Sequence, residues 1–305
     1  MTENYLRFWG VRGSYPAPFD SHCKVGGNTS CVEIRCGNQI LICDAGSGII
    51  PLGNALMEQT EVRELTVILT HYHWDHISGL PFFVPAFVPG WKIHFFGPGD
   101  TEQDIAKHIS DQMKAPYFPV ETETWLADVK YLESGLNPLF VGDMHIEYFN
   151  VHHPGSTFGY RIQAGEKTIV YASDNELAFI DESIERRKPE FDAHEQDLLD
   201  VMKEEERRRV REFMQDVDIL IHDAQYTPED YQKKRGWGHS CYIDTVNSAM
   251  DAGVKDLYLF HVDPNYDDKQ IDTLHKHSQE IIKQAKSKMR CHVAREGTQI
   301  DLGDK

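Results

Sequence analysis

Positive charge is scarce in this sequence, and so are long apolar runs. The 305 residues include 31 Lys and Arg against 49 Asp and Glu, which gives a formal net charge of -18. Such a chain has no general basic surface with which to bind nucleic acid. No apolar run approaches the roughly 20 residues that cross a bilayer, and the opening "MTENYLRFWG" lacks the basic and then apolar pattern of a secretion signal. We therefore expect a cytoplasmic protein with no membrane partner.

Cysteines are few and are not arranged as a framework. The six cysteines include no C-x-x-C pair, so we expect reduced, mostly buried thiols, as in a cytoplasmic protein. Hydrophobic residues make up 40% of the chain and aromatic residues 11%. These are values of a globular protein, and they exclude wholesale disorder.

Short β-like runs dominate the first half, among them "CVEIRC", "QILICD" and "LTVILT". Apolar spacing predicts a helix over 47–58, and later helices over 243–252 and 269–286 precede the strand-like "DLYLFHV" and "CHVA". Two sets of strands with interspersed helices indicate a layered α/β sandwich with helices on its outer faces. No repeat or flexible linker divides the chain, so we expect one domain over 1–305.

One segment, at about 181–212, differs in composition. It holds twelve acidic and eight basic side chains, and Leu199, Met202, Val210 and Phe213 follow a helical stripe through and just beyond it. Acidic residues precede the basic ones, so i,i+4 pairs are available. The segment is predicted to be a charged helical insertion. It is either a solvated surface helix or a cap or subunit contact near the active site.

The stretch "THYHWDH" places His71, His73, Asp75 and His76 directly behind the strand-like "LTVILT". Alternation along an extended backbone points His71 and His73 the same way, whereas Asp75 and His76 project from the turn that starts the next helix. Neutral imidazoles with a carboxylate suit a borderline divalent ion such as zinc. A lone buried histidine is usually only hydrogen-bonded, but four such groups at this spacing predict a metal site.

The pattern H-x-H-x-D-H behind a strand resembles the signature of the metallo-β-lactamase superfamily, an αββα sandwich that binds up to two metal ions. The later segments "VHHPGSTFGYRI", "VYASDNE" and "LFHVDP" resemble its other metal motifs in the expected order, so the resemblance covers nearly the whole chain. In the first of them the ligand directly precedes Pro-Gly, which selects His153 over His152. The implied ligands are His71, His73 and His153 for one metal, Asp75, His76 and His261 for the other, and Asp174 for both.

Flanking motifs resemble one branch of that superfamily. "FWGVRGSYPAP", "VGGNTSCVEI", "CDAGSG" and "GWGHSC" are similar to the branch of ribonuclease Z and the cyclic-nucleotide phosphodiesterases. Its His-Ser-Thr motif supplies a histidine that is not a ligand, here His239, although Cys241 stands where the Thr usually does. The resemblance implies two divalent ions, zinc first and manganese or iron as alternatives, that clamp a phosphodiester and hold a bridging hydroxide. Asp75 would orient that hydroxide.

Further roles follow from this mechanism. His239 would protonate the departing oxygen, because an imidazole has a near-neutral pKa. Asp223 is a candidate to orient His239, and Asp44 a candidate to support the ligand histidines; both alternatively serve as turn or capping residues. The loop 114–120, with Tyr117 and Phe118, is either a hydrophobic plug or a lid that stacks an aromatic ring on a base.

Three functional hypotheses remain. The first is a phosphodiesterase for a small cyclic nucleotide, whose partner is a small-molecule nucleotide. The second is a ribonuclease Z that trims tRNA precursors, which needs a basic arm to grip RNA. The third is a metal-binding module without turnover, although such a module would be expected to lose ligands. The acidic balance favours the first, and relatives in the branch make a homodimer possible.

Overall fold

The computed structural model describes residues 4–58, 62–133, 135 and 137–303. The side chains of residues 180–182 and 193 lie outside this description, as do the first three and last two residues of the predicted 1–305 domain. Strands and helices are numbered below along the chain.

The first sheet has seven strands. They are β1 (Tyr5–Gly10), β2 (Cys31–Cys36), β3 (Gln39–Cys43), β4 (Glu64–Ile68), β5 (Lys92–Phe96), β6 (Asp128–Tyr131) and β14 (Gln299–Asp301). Their order is β14-β1-β2-β3-β4-β5-β6. The strands from β3 to β6 run parallel, so that the carboxyl ends of β3 and β4 meet at one edge.

The second sheet also has seven strands. They are β7 (Leu139–Val141), β8 (Met144–Asn150), β9 (Phe158–Ala164), β10 (Lys167–Ala172), β11 (Ile219–Asp223), β12 (Asp256–Phe260) and β13 (Arg290–Val293). Their order is β13-β12-β11-β10-β9-β8-β7, and the strands from β10 to β13 are parallel. Because β9 is antiparallel to both neighbours, β8 runs in the same direction as β10.

Eight α-helices connect and cover the sheets within the described ranges. They are α1 (Ile49–Met57), α2 (Trp74–Ile77), α3 (Glu102–Asp111), α4 (Phe179–Arg187), α5 (Ala193–Met214), α6 (Pro228–Lys233), α7 (Tyr242–Asp251) and α8 (Asp268–Gln284). The helices α1, α7 and α8 lie within two residues of their predicted bounds. None of the helices in the described ranges combines the length and the apolar composition that a membrane crossing requires.

The apolar side chains divide into two clusters that define four layers. One joins inner-face residues of both sheets, such as Leu6 of β1 and Ile221 of β11, with the helices α7 and α8. The other packs Leu52 of α1 and Ile105 of α3 on the outer face of the first sheet. Helices therefore cover the two outer faces, which is the αββα sandwich that the sequence predicts.

The charged segment at about 181–212 forms the helices α4 and α5, which contact each other. Val210 is buried at the foot of α5, as its stripe predicts, but Met202 is 61% exposed. The apolar stripe is therefore buried at Val210 and exposed at Met202. Only the last turns of α5 pack on the sandwich, where Arg161 donates a hydrogen bond to the Phe213 carbonyl (2.6 Å), while the first half extends into solvent.

Packing between the sheets predicts a contrast between two substitutions. Phe8 is fully buried, and its ring lies 5.4 Å from that of Tyr258 and 6.2 Å from that of Phe260 on the opposite sheet. We expect Phe8→Ala to lower the free energy of unfolding by about 3–5 kcal/mol through the cavity it leaves. Met202→Ala should change it by less than about 0.5 kcal/mol. Urea unfolding of the metal-free protein, followed by circular dichroism, measures both, and equal losses would contradict this packing.

Candidate metal centre

The histidine motif bends from strand to helix at the edge of the first sheet. After β4 the chain bends at Thr70, and His73, whose own backbone is extended (φ -65°, ψ 152°), caps α2. Asp75 and His76 then lie within that four-residue helix. The rings of His71 and His73 are 4.4 Å apart. The local backbone thus brings all four side chains of the motif to one place, as its spacing predicts.

The other predicted ligands follow strands of the second sheet. His153 comes after β8, Asp174 after β10 and His261 directly after β12. These strands run in the same direction, so their carboxyl ends meet at one edge, opposite the ends of β3 and β4. Residues separated by up to 190 positions in the chain therefore converge between the two sheets.

The predicted ligands form two groups whose nitrogen and oxygen atoms lie within 4.8 Å of one another. They are His71, His73 and His153 in one group and Asp75, His76, Asp174 and His261 in the other. His153 Nε2 is 3.0 Å from His73 Nδ1, and His76 Nε2 is 3.3 Å from His261 Nε2. Converging imidazole nitrogens are typical of a site that coordinates a metal.

Asp174 lies between the two groups. Its Oδ1 is 3.0 Å from His76 Nε2 and 3.4 Å from His261 Nε2. Its Oδ2 faces the other way, 3.9 Å from His71 Nε2 and 3.8 Å from His153 Nε2. Each oxygen thus belongs to a different group, which is the arrangement that a shared carboxylate ligand requires.

The electrostatics of the cluster fit a cation. Asp44, Asp75, Asp174 and Asp223 are all buried, and within the described part of the chain none of them contacts a Lys or an Arg. Among the same residues, the buried atoms Nε2 of His71 and Oδ1 of Asp174 lack a hydrogen-bond partner. Buried carboxylates without a compensating charge are costly. A donor set of nitrogen and oxygen atoms around this charge therefore suits divalent metal ions.

Burial also controls the protonation of the imidazoles. It lowers the pKa of His71 and of His153, which keeps both neutral, the form in which histidine binds metals. His76 differs: burial alone lowers its pKa, but the carboxylates of Asp174 and Asp75 outweigh this and raise it well above the usual range. Without a metal, a proton on His76 therefore supplies the positive charge that the carboxylates attract.

Asp44 supports the cluster from behind. Its Oδ2 accepts hydrogen bonds from His76 Nδ1 and from the Tyr171 hydroxyl, both at 2.8 Å. Its Oδ1 accepts one from the Thr70 backbone N–H, also at 2.8 Å. With Nδ1 occupied, His76 is fixed in the tautomer that turns Nε2 to the metal position. This is the supporting position predicted for Asp44.

Other ligand histidines have similar partners. His153 Nδ1 donates to the Gly238 carbonyl (2.9 Å) and His71 Nδ1 to the Thr70 hydroxyl (3.1 Å). His152, which the motif excludes as a ligand, turns away from the cluster and binds Glu206 of α5 through Nε2 (2.8 Å). The choice between two adjacent histidines thus agrees with the geometry.

His239 lies beside the cluster with its ring stacked on that of His261 at 5.0 Å. Its Nδ1 is 2.8 Å from Asp223 Oδ2, and Asp223 accepts further hydrogen bonds from the backbone N–H of Gln225 (2.9 Å) and of Ser240 (3.3 Å). Nε2 of His239 has no hydrogen-bond partner among the described residues. Burial lowers the pKa of His239, while the charges of Asp174 and Asp75 act in the opposite direction.

Three residues near the site were not predicted from the sequence. Gln225 contacts His261, and the backbone N–H of Ser14 contacts Asp75. Glu176 is buried and accepts hydrogen bonds from Gly236 N (2.8 Å), Gly238 N and Tyr231 Oη (both 2.9 Å). It thereby fixes the loop that carries His239. Only the proximity of Glu176 to "ASD" in the sequence gave a hint of this role.

A cavity of about 810 Å³ opens beside the first ligand group. Its described lining contains no Lys or Arg, and it contains His71, His73, His108 and the carboxylates of Asp100 and Asp104. The loop 114–120 is not part of this lining. Phe118 packs on Phe82 (ring centroids 5.5 Å apart), whereas Tyr117 is 83% exposed.

Residues 40–262 match the beta-lactamase superfamily domain. The chain therefore belongs to the beta-lactamase superfamily. This confirms the predicted family, and the superfamily's hydrolases typically bind divalent metals, which the clusters described above accommodate.

Relatives and structures agree with this membership. A ribonuclease Z of Thermococcus kodakarensis is 26% identical over 261 residues, covering 77% of this chain and 78% of that protein. The probable metallo-hydrolase YhfI of Bacillus subtilis is 24% identical over 254 residues, covering 83% of this chain and 84% of that protein. The crystal structure of the metallo-beta-lactamase fold protein YhfI from Bacillus subtilis has a TM-score of 0.66 at 18% identity and covers 98% of this chain and 99% of that one. This last likeness shows a shared fold.

Removing the support of His76 should weaken metal binding. We expect Asp44→Asn to lower the affinity for zinc by about 10–100-fold, because an amide whose oxygen accepts from His76 and Tyr171 turns its NH2 group toward the Thr70 backbone N–H, and because it lacks the negative charge that Asp44 places beside His76. Equilibrium dialysis against buffered zinc measures this. The matched control is Asp111→Asn, which changes an exposed carboxylate of α3 that pairs with Lys107 (2.9 Å). Equal affinities of the two variants would contradict the role of Asp44.

Proposed function

We propose that the chain is a metal-dependent phosphodiesterase that hydrolyses a small cyclic nucleotide. The observation that carries this proposal is the placement of His239. One of its nitrogens is bound to a buried carboxylate, and the other has no described protein partner, at the edge of a cluster of metal-binding side chains. A hydrolytic reaction whose leaving group is an alkoxide needs a proton donor in this position.

The two ligand groups would each hold one divalent ion, with Asp174 shared. When bound, such ions polarise a phosphoryl oxygen, neutralise its charge and lower the pKa of water. Asp75 would bind the metal through Oδ2, which accepts a hydrogen bond from Ser14 N (2.7 Å) and lies 3.0 Å from His261 Nε2. Its Oδ1 has no hydrogen-bond partner among the described residues, so this oxygen is available to orient the attacking water.

His239 would complete the reaction as general acid. The Nδ1–H···Asp223 hydrogen bond leaves Nε2 to carry the proton that the departing 3′-oxygen takes. Burial raises the pKa of Asp223 well above its usual range. In its ionised form this carboxylate would stabilise the protonated ring before transfer. Asp223 is therefore a positioning residue, and His239 is the catalytic residue of this step.

The cavity supports a small substrate with one negative charge. Its volume of about 810 Å³ suits a ligand of nucleotide size. Asp100 and Asp104, with no Lys or Arg in the described lining, would repel any second phosphate. Trp237, which is 61% exposed on the loop fixed by Glu176, lies next to His239 and offers a ring on which a base can stack.

A ribonuclease Z is the second candidate, because relatives of that name cover most of the chain. Against it stands the charge of the surface that such an enzyme would use. The helices α4 and α5 occupy the obvious insertion, and the predicted segment at about 181–212 is acidic on balance. RNA binding needs a row of cations that release counterions from the phosphates.

The proton-donor role predicts a dependence on the leaving group. His239→Ala should lower kcat on a 3′,5′-cyclic nucleotide by about 10²-fold or more, since an alkoxide needs the proton. With bis-p-nitrophenyl phosphate the loss should be much smaller, because p-nitrophenolate leaves without protonation. Zinc content should stay at the wild-type level. A fall in zinc content would show that His239 is a ligand, a role that its distance of 3.7 Å from Asp174 also permits.

The charge of the cavity predicts which substrates are accepted. We expect zinc-loaded protein to hydrolyse cyclic mononucleotides faster than cyclic dinucleotides, and to leave a tRNA precursor uncut. Asp100→Lys should raise kcat/KM for the cyclic dinucleotide relative to the mononucleotide, because it reverses a charge in the lining. Asp111→Lys, outside the cavity, is the control. Cleavage of the tRNA precursor without activity on any cyclic nucleotide would favour the second candidate.

A further inference from the structure

Asp75 and His261 belong to a closed ring of hydrogen bonds with two residues outside the ligand set. The Gln225 carbonyl Oε1 accepts from His261 Nδ1 (2.9 Å), and the Gln225 amide Nε2 donates to Ser14 Oγ (3.1 Å). The Ser14 backbone N–H donates to Asp75 Oδ2 (2.7 Å), which lies 3.0 Å from His261 Nε2. These contacts therefore connect Asp75 and His261 to each other through Gln225 and Ser14.

We infer that Gln225 and Ser14 position the ligand pair Asp75–His261 and so determine the affinity of the second metal position. This inference rests on the metal pair of the proposed function and not on its substrate. The two residues touch no reacting atom, so both are positioning residues. The steps below follow from the chemistry of each group.

An amide suits this place better than a carboxylate. Buried carboxylates already surround the site, and Gln225, itself 2% exposed, accepts the hydrogen bond of His261 Nδ1 without adding another negative charge. The two ends of an amide differ, however, and a rotation would present N–H groups to His261 Nδ1. The Ser14 hydroxyl accepts from Nε2 and thereby keeps Oε1 turned to His261.

Backbone geometry shows that this arrangement needs support. Ser14 (φ 63°) and His261 (φ 55°) both adopt the left-handed conformation, which is strained for residues other than glycine. The segment that carries Ser14 also approaches His261 closely: a Cβ on Gly13 would lie 2.5 Å from His261 Nδ1. The fully buried Arg12 fixes this turn through Gly26 O (2.8 Å) and Tyr266 O (2.7 Å). The sequence "VRGS" therefore forms a fixed turn that holds Ser14 beside Gln225 and Asp75.

The experiment is a zinc titration of the full-length protein by equilibrium dialysis, with metal content read by mass spectrometry. We expect wild-type protein to bind two ions. Gln225→Leu should weaken one of them by about 10–100-fold and leave the other unchanged, because only His261 and Asp75 lose their support. Gln225→Glu, which retains an acceptor, should bind two ions, and Ser14→Gly, which keeps the left-handed turn but lacks Oγ, should weaken the same ion by about 5-fold.

Controls separate this inference from general damage. Gln279→Leu removes an amide that lies 3.2 Å from another histidine, His275, far from the cluster, and should bind zinc as wild type does. If Gln225→Leu bound both zinc ions with the wild-type affinities, the inference would be overturned. Equal weakening of both ions, with a lower Tm of the metal-free variant, would also overturn it. Wild-type protein that binds no metal would instead refute the metal centre of the proposed function.

Discussion

Uncompensated negative charge is the constraint on which this structure depends. Asp44, Asp75, Asp174 and Asp223 are buried between the sheets, and their described partners are imidazoles, hydroxyls and backbone N–H groups rather than Lys or Arg. Desolvation of each carboxylate costs several kcal/mol, and hydrogen bonds recover only a part of that. The folded chain therefore needs cations in this cluster, either protons or metal ions.

The sandwich makes that concentration of charge possible. Strands of both sheets end at one edge, so each ligand sits on the short turn that follows a rigid strand. Outward contacts then fix each ring: Asp44 holds His76, the Gly238 carbonyl holds His153 and Gln225 holds His261. Because Glu176 holds the Gly238 loop in turn, the orientation of a ligand and the position of His239 depend on one buried carboxylate.

Sequence reasoning identified the side chains that converge in the cluster because the spacing within each motif is local. The motif "THYHWDH" and the Pro-Gly after His153 are short-range signals, and the helices α1, α7 and α8 have clear apolar periods. Gln225 and Ser14 carry no such signal, since their contact joins positions 211 residues apart. The edge strands β7 and β14, of three residues each, were missed because propensity over three residues is too weak. Helical spacing does not reveal which turns of a helix reach the core, so the apolar stripe of α5 could not distinguish buried Val210 from exposed Met202.

The charge around the cluster also distinguishes the two candidate activities, hydrolysis of a cyclic nucleotide and cleavage of RNA. In the proposed function, metal ions held by this cluster would cleave a phosphodiester that reaches them, and selectivity would reside in the residues around the cluster. The described lining of the cavity is acidic, and so on balance is the predicted insertion that contains most of α5. The metal ions would neutralise the single negative charge of a cyclic nucleotide, which would then meet little repulsion from the acidic lining. An RNA chain keeps its other phosphates, and each would meet a carboxylate where it needs a cation. The same surplus of negative charge that draws metals into the core therefore limits the size of the anion that the site accepts.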